Sequence, residues 1–254
     1  MEDFTAAMAR MAALTDEQMA LPWHWRDGGE ELEVRDAFHR TLEAENGQAA
    51  RVAGRVAGEV AAALVLAQRA AGDLCGLIVG LPDTVLDAPP GGGEWTLREV
   101  LRHTVWTEPR FRVRSLWSVA HGAAGAEMMP DTENPPEADV SGDAASIIEL
   151  LLAERATTDA EFAGLSEADL ATPSTWSGHV VDVRFRLHRP ASHLIEHTNQ
   201  CEKVLHVLGR NPGEARQLVR AIWAARGGHE RLSDARELRV LDEALASRLE
   251  SLGL

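Results

Sequence analysis

Residues 183–203 read VRFRLHRPASHLIEHTNQCEK, a stretch of helical composition that carries three histidines. His193 and His197 are four residues apart, so on an α-helix both imidazoles lie on one face, within reach of one metal ion. Helix bundles build metal sites from inward side chains on facing helices. The stretch therefore predicts one helix of a bundle, with two metal ligands on its inner face.

Composition limits the classes of function. The chain has 254 residues, 45% of them hydrophobic, so a sizeable core is expected. A formal net charge of −15 argues against binding to nucleic acid or to a membrane surface. We predict a cytoplasmic protein, because we find no signal peptide, no apolar run of membrane-spanning length, and only two distant cysteines, Cys75 and Cys201. Tyrosine is absent, so no phenol can act as an acid, a base or a nucleophile. The glycine-rich phosphate and dinucleotide loops are also absent, which disfavours phosphate-loop and dinucleotide-binding enzymes.

Hydrophobic residues recur at helical spacing through most of the chain, and no segment alternates as a strand would. Thr96 and Glu99 predict a capping box at the start of one helix, and Asn211 predicts the N-cap of a later one. Gly72 and Gly76 would allow a neighbouring helix to come close. The predicted helices cover about 31–45, 47–80, 96–119, 143–164, 183–208, 212–226 and 233–252.

These helices predict an all-α fold in one compact domain. Residues 47–210 form a four-helix bundle, residues 1–46 an N-terminal helical extension, and residues 211–254 a C-terminal helical extension. The N-terminal extension is a degenerate repeat of residues 165–200.

The repeat is a pattern of leucine, hydroxyl residue, proline and tryptophan at equal spacing, followed by Val-Arg and His-Arg. Because His39 and His188 share a position in it, we assign His188 to the packing or hydrogen bonding of the repeated unit. His193 and His197 are what the second copy adds. The metal pair is therefore His193 and His197, without His188.

A third ligand is needed, and His103, about two turns into a capped bundle helix, is the best candidate. The pattern Trp-Thr-x-x-Glu-Val-Leu-x-His over residues 95–103, with His-x-x-x-His-x-x-Gln over residues 193–200, resembles the DinB-like superfamily. That superfamily includes thiol-dependent maleylpyruvate isomerases and related thiol S-transferases. The resemblance covers roughly residues 47–210.

This resemblance implies a four-helix bundle, frequently a homodimer, with a divalent metal ion held by His103, His193 and His197. It also implies that Gln200, one turn after His197, orients that ligand from outside the coordination shell. Three neutral imidazoles leave open positions on the ion, which suits activation of water or of a low-molecular-weight thiol. Zinc or nickel fits imidazole better than magnesium or calcium does.

Other residues near these helices have interpretations of their own. Cys201 is either a small buried apolar residue, which we favour, or a fourth ligand or redox thiol. Glu196 is expected to be solvated or paired with an arginine, and Glu108 is expected to form a salt bridge. Arg110 and Arg114 have the spacing of an anion site, although a solvated helix face is the commoner outcome.

Two functions are compatible with these patterns. The first is a metal-dependent enzyme, a thiol S-transferase or a hydrolase, that acts on a small molecule. The second is a non-catalytic protein, stress-related or small-ligand-binding, in which a metal, if bound, is structural.

Trp95 and Trp176 either pack at the end of the bundle or line the mouth of a pocket.

Overall fold

The chain is mostly helical in a computed structural model that describes residues 3–25, 31–125 and 129–254. The helices, in chain order, are α1 (Phe4–Ala12), α2 (Asp16–Met19), α3 (Val34–Val52), α4 (Gly58–Ile78), α5 (Asp83–Leu86), α6 (Leu97–Gly125), α7 (Ala144–Phe162), α8 (Glu167–Leu170), α9 (Val183–Val207), α10 (Glu214–Gly227) and α11 (Ala235–Leu252). The antiparallel strand pairs are β1 (Pro22–Trp23) with β2 (Leu32–Glu33), and β3 (Pro173–Trp176) with β4 (His179–Asp182). The predicted all-α class is confirmed.

Helices α4, α6, α7 and α9 form the predicted four-helix bundle. Both α7 and α9 pack against α4 and against α6. Leu74, Leu101, Ile148 and Leu194, one from each helix, belong to a single cluster of buried apolar side chains. Burying one such side chain stabilises the fold by about 1.5–3 kcal/mol, so this shared core holds the helices together.

Helices α4 and α10 approach until their backbones touch. A Cβ atom on Gly72 would lie 2.4 Å from the carbonyl oxygen of Trp223, and one on Gly76 would lie 2.6 Å from the Cα of Arg220. On the α10 side, a Cβ on Gly227 would lie 2.4 Å from a backbone oxygen of α4. The close neighbour expected beside Gly72 and Gly76 is therefore α10.

Replacing Gly72 by alanine is expected to lower the free energy of unfolding by about 1–3 kcal/mol, because the new methyl group meets backbone atoms that cannot rotate away. The better helix propensity of alanine recovers at most about 1 kcal/mol of this loss. Gly54→Ala is the control, since a Cβ there meets nothing within 4 Å. Urea denaturation measures both variants, and equal stabilities would contradict the close contact.

Helix α4 is long and apolar enough to cross a membrane, by length and composition only. The expectation that no apolar run has this length is therefore wrong. Most of the helix is buried inside the protein, where it packs against α7, α9 and α10. Its apolar composition is accounted for by its place in the core.

The two copies of the sequence repeat have the same local structure. In each, a capping box at Thr15 or Ser166 opens a four-residue helix, and a strand pair and a long helix follow. The first residue of that long helix, Val34 or Val183, donates its backbone N–H to the residue before the proline, at 2.9 or 3.0 Å. The strands were not expected, because at two to four residues each they are too short to show alternation.

The single helix predicted over residues 47–80 is divided in the structure. Helix α3 runs on to Val52, and residues 53–57 separate it from α4. The apolar spacing continues across this break, which is why the sequence pattern did not reveal it. Gly58 takes a φ of +78°, a left-handed value that glycine adopts without strain, and turns the chain into α4.

The start of α10 also differs from the prediction. The helix begins at Glu214 rather than beside Asn211, whose side-chain oxygen lies 3.0 Å from Nδ1 of His206 instead. The side chain of Asp16, from the N-terminal extension, accepts the backbone N–H of Glu214 at 2.8 Å. The capping group thus comes from a distant segment, which no local sequence pattern can indicate.

Candidate metal centre

Three histidines from two bundle helices converge at one point. His103 lies on α6, and His193 and His197 lie one turn apart on α9. The Nε2 atom of His193 is 3.2 Å from Nε2 of His103 and 2.9 Å from Nε2 of His197. The three ligand atoms all lie within 4.8 Å of one another. The fold thus brings together the three residues that the sequence proposed as ligands.

Local sequence sets the two ligand helices in place. The predicted capping box starts α6: the backbone N–H of Thr96 donates to Oε2 of Glu99 at 2.8 Å, and Glu99 returns its backbone N–H to Thr96 Oγ1 at 3.2 Å. Each ligand helix has an interior proline, Pro109 in α6 and Pro190 in α9, and runs through it. Proline has no backbone N–H, so each helix lacks one internal hydrogen bond close to its histidines.

Burial keeps the three imidazoles neutral. It lowers the pKa of His193 to about 3, and the neighbouring His197 and His103 add to this shift. Burial also lowers the pKa of His103 and that of His197. A neutral imidazole offers a lone pair to a metal ion, whereas a protonated one does not. At neutral pH the three rings are therefore in the form that metal binding requires.

The spacing of the nitrogens fits a divalent ion. Bonds of about 2.0–2.1 Å in tetrahedral geometry place ligand nitrogens roughly 3.3 Å apart. Two of the three pairs here are 2.9 and 3.2 Å apart, and all three nitrogens lie within 4.8 Å of one another. Each neutral ring has one N–H, so hydrogen bonds alone cannot satisfy three facing nitrogens, whereas one cation can. In the part of the chain that the structure describes, no Cys, Asp or Glu joins the group. Three protein ligands would leave coordination positions open.

Gln200 contacts the outer nitrogen of one ligand. Its Oε1 lies 2.9 Å from Nδ1 of His197 and accepts the N–H of that nitrogen. This hydrogen bond leaves the lone pair of His197 on Nε2, which faces the other two rings. Gln200 therefore makes the hydrogen bond to a ligand ring that is expected of an orienting residue outside the coordination shell.

Replacing Gln200 by alanine is expected to weaken zinc affinity by about 10–100-fold, because the ring of His197 loses the group that fixes its tautomer and orientation. Asn199→Ala is the matched control, since Asn199 is the exposed preceding residue of the same helix. Competition with a chromophoric zinc chelator measures both affinities. If both variants bound zinc as the unaltered protein does, the orienting role would be excluded.

A cavity of about 360 Å³ opens beside the histidines. Phe111 and Trp176 stack in its wall, with ring centroids 5.4 Å apart, and the ring of Phe111 lies 5.3 Å from that of His193. Ser177, in the turn between β3 and β4, also lines it and has a left-handed φ of +49°. Trp176 thus lines a pocket, while Trp95 is 42% exposed with its ring 5.4 Å from that of His103.

Two nearby residues lie outside the histidine group. Cys201 is fully buried as a free thiol, and burial raises its pKa to about 12, so the favoured interpretation as a small buried residue is confirmed. His188 is half-exposed, and its Nε2 lies 2.8 Å from a carboxylate oxygen of Glu59. His188 therefore belongs to a hydrogen-bonded pair at the surface.

The two acids near the site both form ion pairs. Glu196 accepts a hydrogen bond from Arg189 at 2.8 Å and is exposed, as expected. Glu108 forms the expected salt bridge, with its Oε1 2.5 Å from Nη1 of Arg155, but this pair is fully buried. Removing one partner of a buried pair destabilises a protein far more than removing one partner of a surface pair, because the charge that remains is desolvated and uncompensated.

Sequence reasoning missed Arg186, Arg189 and Phe111, which all line the cavity. The sequence repeat did contain an indication of Arg186. The residue equivalent to Arg186 in the first copy is Ala37, so this position differs between the copies, as do the positions of His193 and His197. Phe111 had no such signal, because its spacing is that of any buried helical residue.

Comparison with known proteins gives one family match. The DinB superfamily profile matches residues 66–201, more than half of the chain and all three histidines of the group. No curated protein matches the chain. A solved structure that does match carries the description "YfiT from Bacillus subtilis is a probable metal-dependent hydrolase with an unusual four-helix bundle topology". It shares 14% sequence identity, the match covers 74% of this chain and 94% of that one, and the TM-score is 0.40.

Proposed function

The chain belongs to the DinB superfamily, and from this premise we propose that it is a metal-dependent enzyme acting on a small molecule. The observation that carries the proposal is the convergence of His103, His193 and His197 beside a cavity of about 360 Å³. A buried structural metal would need no such opening, whereas a catalytic one needs access for its substrate.

We assign a divalent ion to the three facing Nε2 atoms, with zinc or nickel as the metal because both suit imidazole ligands. When bound, such an ion supplies Lewis-acid chemistry that makes a nucleophile of water or of a thiol near pH 7. Both reaction types, hydrolysis and thiol S-transfer with a low-molecular-weight thiol, use this chemistry.

The side chains around the ion have separate tasks. Gln200 holds the ring of His197, and the stacked rings of Phe111 and Trp176 form a planar apolar wall for the carbon skeleton of a substrate. Glu196 lines the same cavity, and its hydrogen bond from Arg189 lowers the pKa of the Glu196 carboxyl. Glu196 is therefore ionised at neutral pH, and we assign to its carboxylate the proton that the nucleophile releases.

Elemental analysis and reconstitution test the proposal. We expect about one equivalent of zinc or nickel per chain in the purified protein. Turnover should disappear with a chelator and return with the same ion. Two assays separate the reaction types: cleavage of small esters and amides reports hydrolysis, and consumption of a small thiol in the presence of an electrophile reports S-transfer.

Two results would contradict an enzymatic role. Turnover that a chelator leaves unchanged would remove the metal from the reaction. Stoichiometric metal without turnover in either assay would favour the alternative, a non-catalytic stress-related or small-ligand-binding protein with a structural metal.

We also propose a cytoplasmic homodimer without nucleic-acid or membrane partners. The formal net charge of −15 supports the exclusion of nucleic acid, because phosphates would be repelled. Size-exclusion chromatography with light scattering measures the oligomeric state, and a monomer mass of 27.6 kDa at micromolar concentration would exclude the dimer.

A further inference from the structure

The cavity beside the histidines is strongly basic, although the protein as a whole is acidic. Four arginines line it: Arg110, Arg114, Arg186 and Arg189. Glu196 is the one acid among the lining residues, and it is paired with Arg189. In a chain with a net charge of −15, an excess of positive side chains at one cavity creates a local field that attracts small anions.

Arg186 has an unused hydrogen-bond donor in this cavity wall. The side chain is 2% exposed. Its Nε donates to Ser174 Oγ at 2.6 Å and its Nη2 donates to the carbonyl oxygen of Thr175. Nη1 is buried and has no hydrogen-bond partner among the described residues. A buried donor without a partner costs free energy, so its retention beside a cavity calls for an acceptor from outside the chain.

The guanidinium of Arg186 also lacks a counter-ion. Among the side chains that the structure describes, no carboxylate forms an ion pair with it. The charge that acts on this guanidinium is that of another cation, Arg114. Burial, followed by the charge of Arg114, lowers the pKa of Arg186 to about 10. The group still carries its positive charge at neutral pH. An anion in the cavity would relieve both the missing hydrogen bond and the uncompensated charge.

The basic part of the cavity lies close to the three histidines. The guanidinium carbons of Arg186 and Arg189 lie 5.5 and 5.7 Å from the ring centre of Trp176. Trp176 stacks on Phe111, whose ring meets that of His193 edge-on. The cations, the planar wall and the metal ligands therefore surround one space, which a single small molecule can fill.

The repeat supports a functional origin for Arg186. The first copy has Ala37 at this position, and Ala37 is buried in a comparable segment that starts α3. The repeated unit therefore folds without an arginine there. Arg186 is found in the copy that also carries His193 and His197.

We propose that this cavity is an anion-binding subsite, in which Arg186, with its neighbours Arg110, Arg114 and Arg189, holds a carboxylate or phosphate group of a small organic ligand. The planar guanidinium donates N–H groups to two oxygens of such a group, and the stacked rings of Phe111 and Trp176 cover its apolar part. Naming this ligand the substrate rests on the proposed metal-dependent function. The binding of the anion itself does not.

Calorimetric titration of the full chain with three probes tests the subsite. Benzoate and phenyl phosphate carry the two candidate anionic groups on a flat ring, and benzamide is the neutral control. We expect both anions to bind, benzamide to bind at least about tenfold more weakly, and the anion affinity to fall as salt is added. Equal binding of benzoate and benzamide would overturn the proposal. Whichever anion binds more tightly identifies the group.

Substitutions of single arginines test whether the anion binds in this cavity. Arg186→Gln should weaken binding of the preferred anion by at least about tenfold. Arg184→Gln is the control, because Arg184 lies two residues earlier on α9, pairs with Glu59 and is not among the lining residues. Because Arg186 also donates hydrogen bonds to β3, a second variant, Arg110→Gln, is needed. The guanidinium of Arg110 lies over the ring of Trp106 instead. Unchanged affinity in every folded variant of Arg186 and Arg110 would overturn the proposal.

Repeating the titrations after chelation separates this inference from the proposed function. Anion binding that survives chelation and still depends on Arg186 supports the subsite, whatever the metal content proves to be. If anion binding disappeared on chelation and were unaffected by the arginine substitutions, the anion would bind to the metal ion. This result would overturn the subsite but would not contradict the metal centre.

Discussion

His193→Ala is expected to abolish stoichiometric metal binding and, with it, turnover. His193 is the central ligand, because its Nε2 contacts the Nε2 atoms of both His103 and His197. Two imidazoles on separate helices would remain, and the loss of affinity should exceed the roughly 10–100-fold expected for a residue that only orients a ligand. Metal content by mass spectrometry and kcat/KM in the reconstituted protein measure the effect.

His188→Ala is the matched control for this prediction. His188 lies on the same helix, but it is half-exposed and bound to Glu59. We expect His188→Ala to retain the metal and the activity of the unaltered protein. Equal metal contents in the two variants would refute the assignment of His193, provided that circular dichroism shows both to be folded.

Arg155→Met is expected to lower the free energy of unfolding by about 3–5 kcal/mol, a large share of the 5–15 kcal/mol typical of a domain. The Arg155 side chain is fully buried and donates to Glu108 at 2.5 Å and to Asp159 at 2.6 Å. Methionine would leave the buried Glu108 without its counter-ion, whereas Asp159 would keep only Arg231, at 3.1 Å. Because Glu108 follows His103 on α6, the variant should also bind metal more weakly.

Denaturation in guanidinium chloride measures the effect of Arg155→Met against that of Arg184→Met. Arg184 forms a surface pair with Glu59 at 2.9 Å, and both side chains are about one third exposed. Surface pairs contribute little, because water and salt screen them. If the two variants had the same denaturation midpoint, the buried network would not stabilise the fold as argued.

Local chemistry explains what could be predicted from the sequence. The helix start at Thr96 and Glu99 depends on hydrogen bonds within four residues, and the shared face of His193 and His197 depends on helical periodicity alone. His103 required a further step, the resemblance to a family, because its position opposite α9 depends on how two helices pack.

Features that depend on distant contacts could not be predicted in this way. The break after Val52 lies within a continuous apolar pattern, and the capping group of α10 comes from Asp16, almost two hundred residues earlier in the chain. The cavity-facing position of Arg110 and Arg114 was one of two open interpretations, since helical spacing cannot distinguish a face toward a cavity from a face toward water.

The glycine contact between α4 and α10 bears on which part of the chain can fold autonomously. The family match ends at residue 201, before α10 begins. A chain shortened to the matched residues would expose the face of α4 around Gly72 and Gly76, where the backbone now touches another helix. The cooperative unit is therefore larger than the segment that identifies the family. It follows that α10, which carries none of the three histidines, helps determine the temperature up to which the histidine group stays assembled.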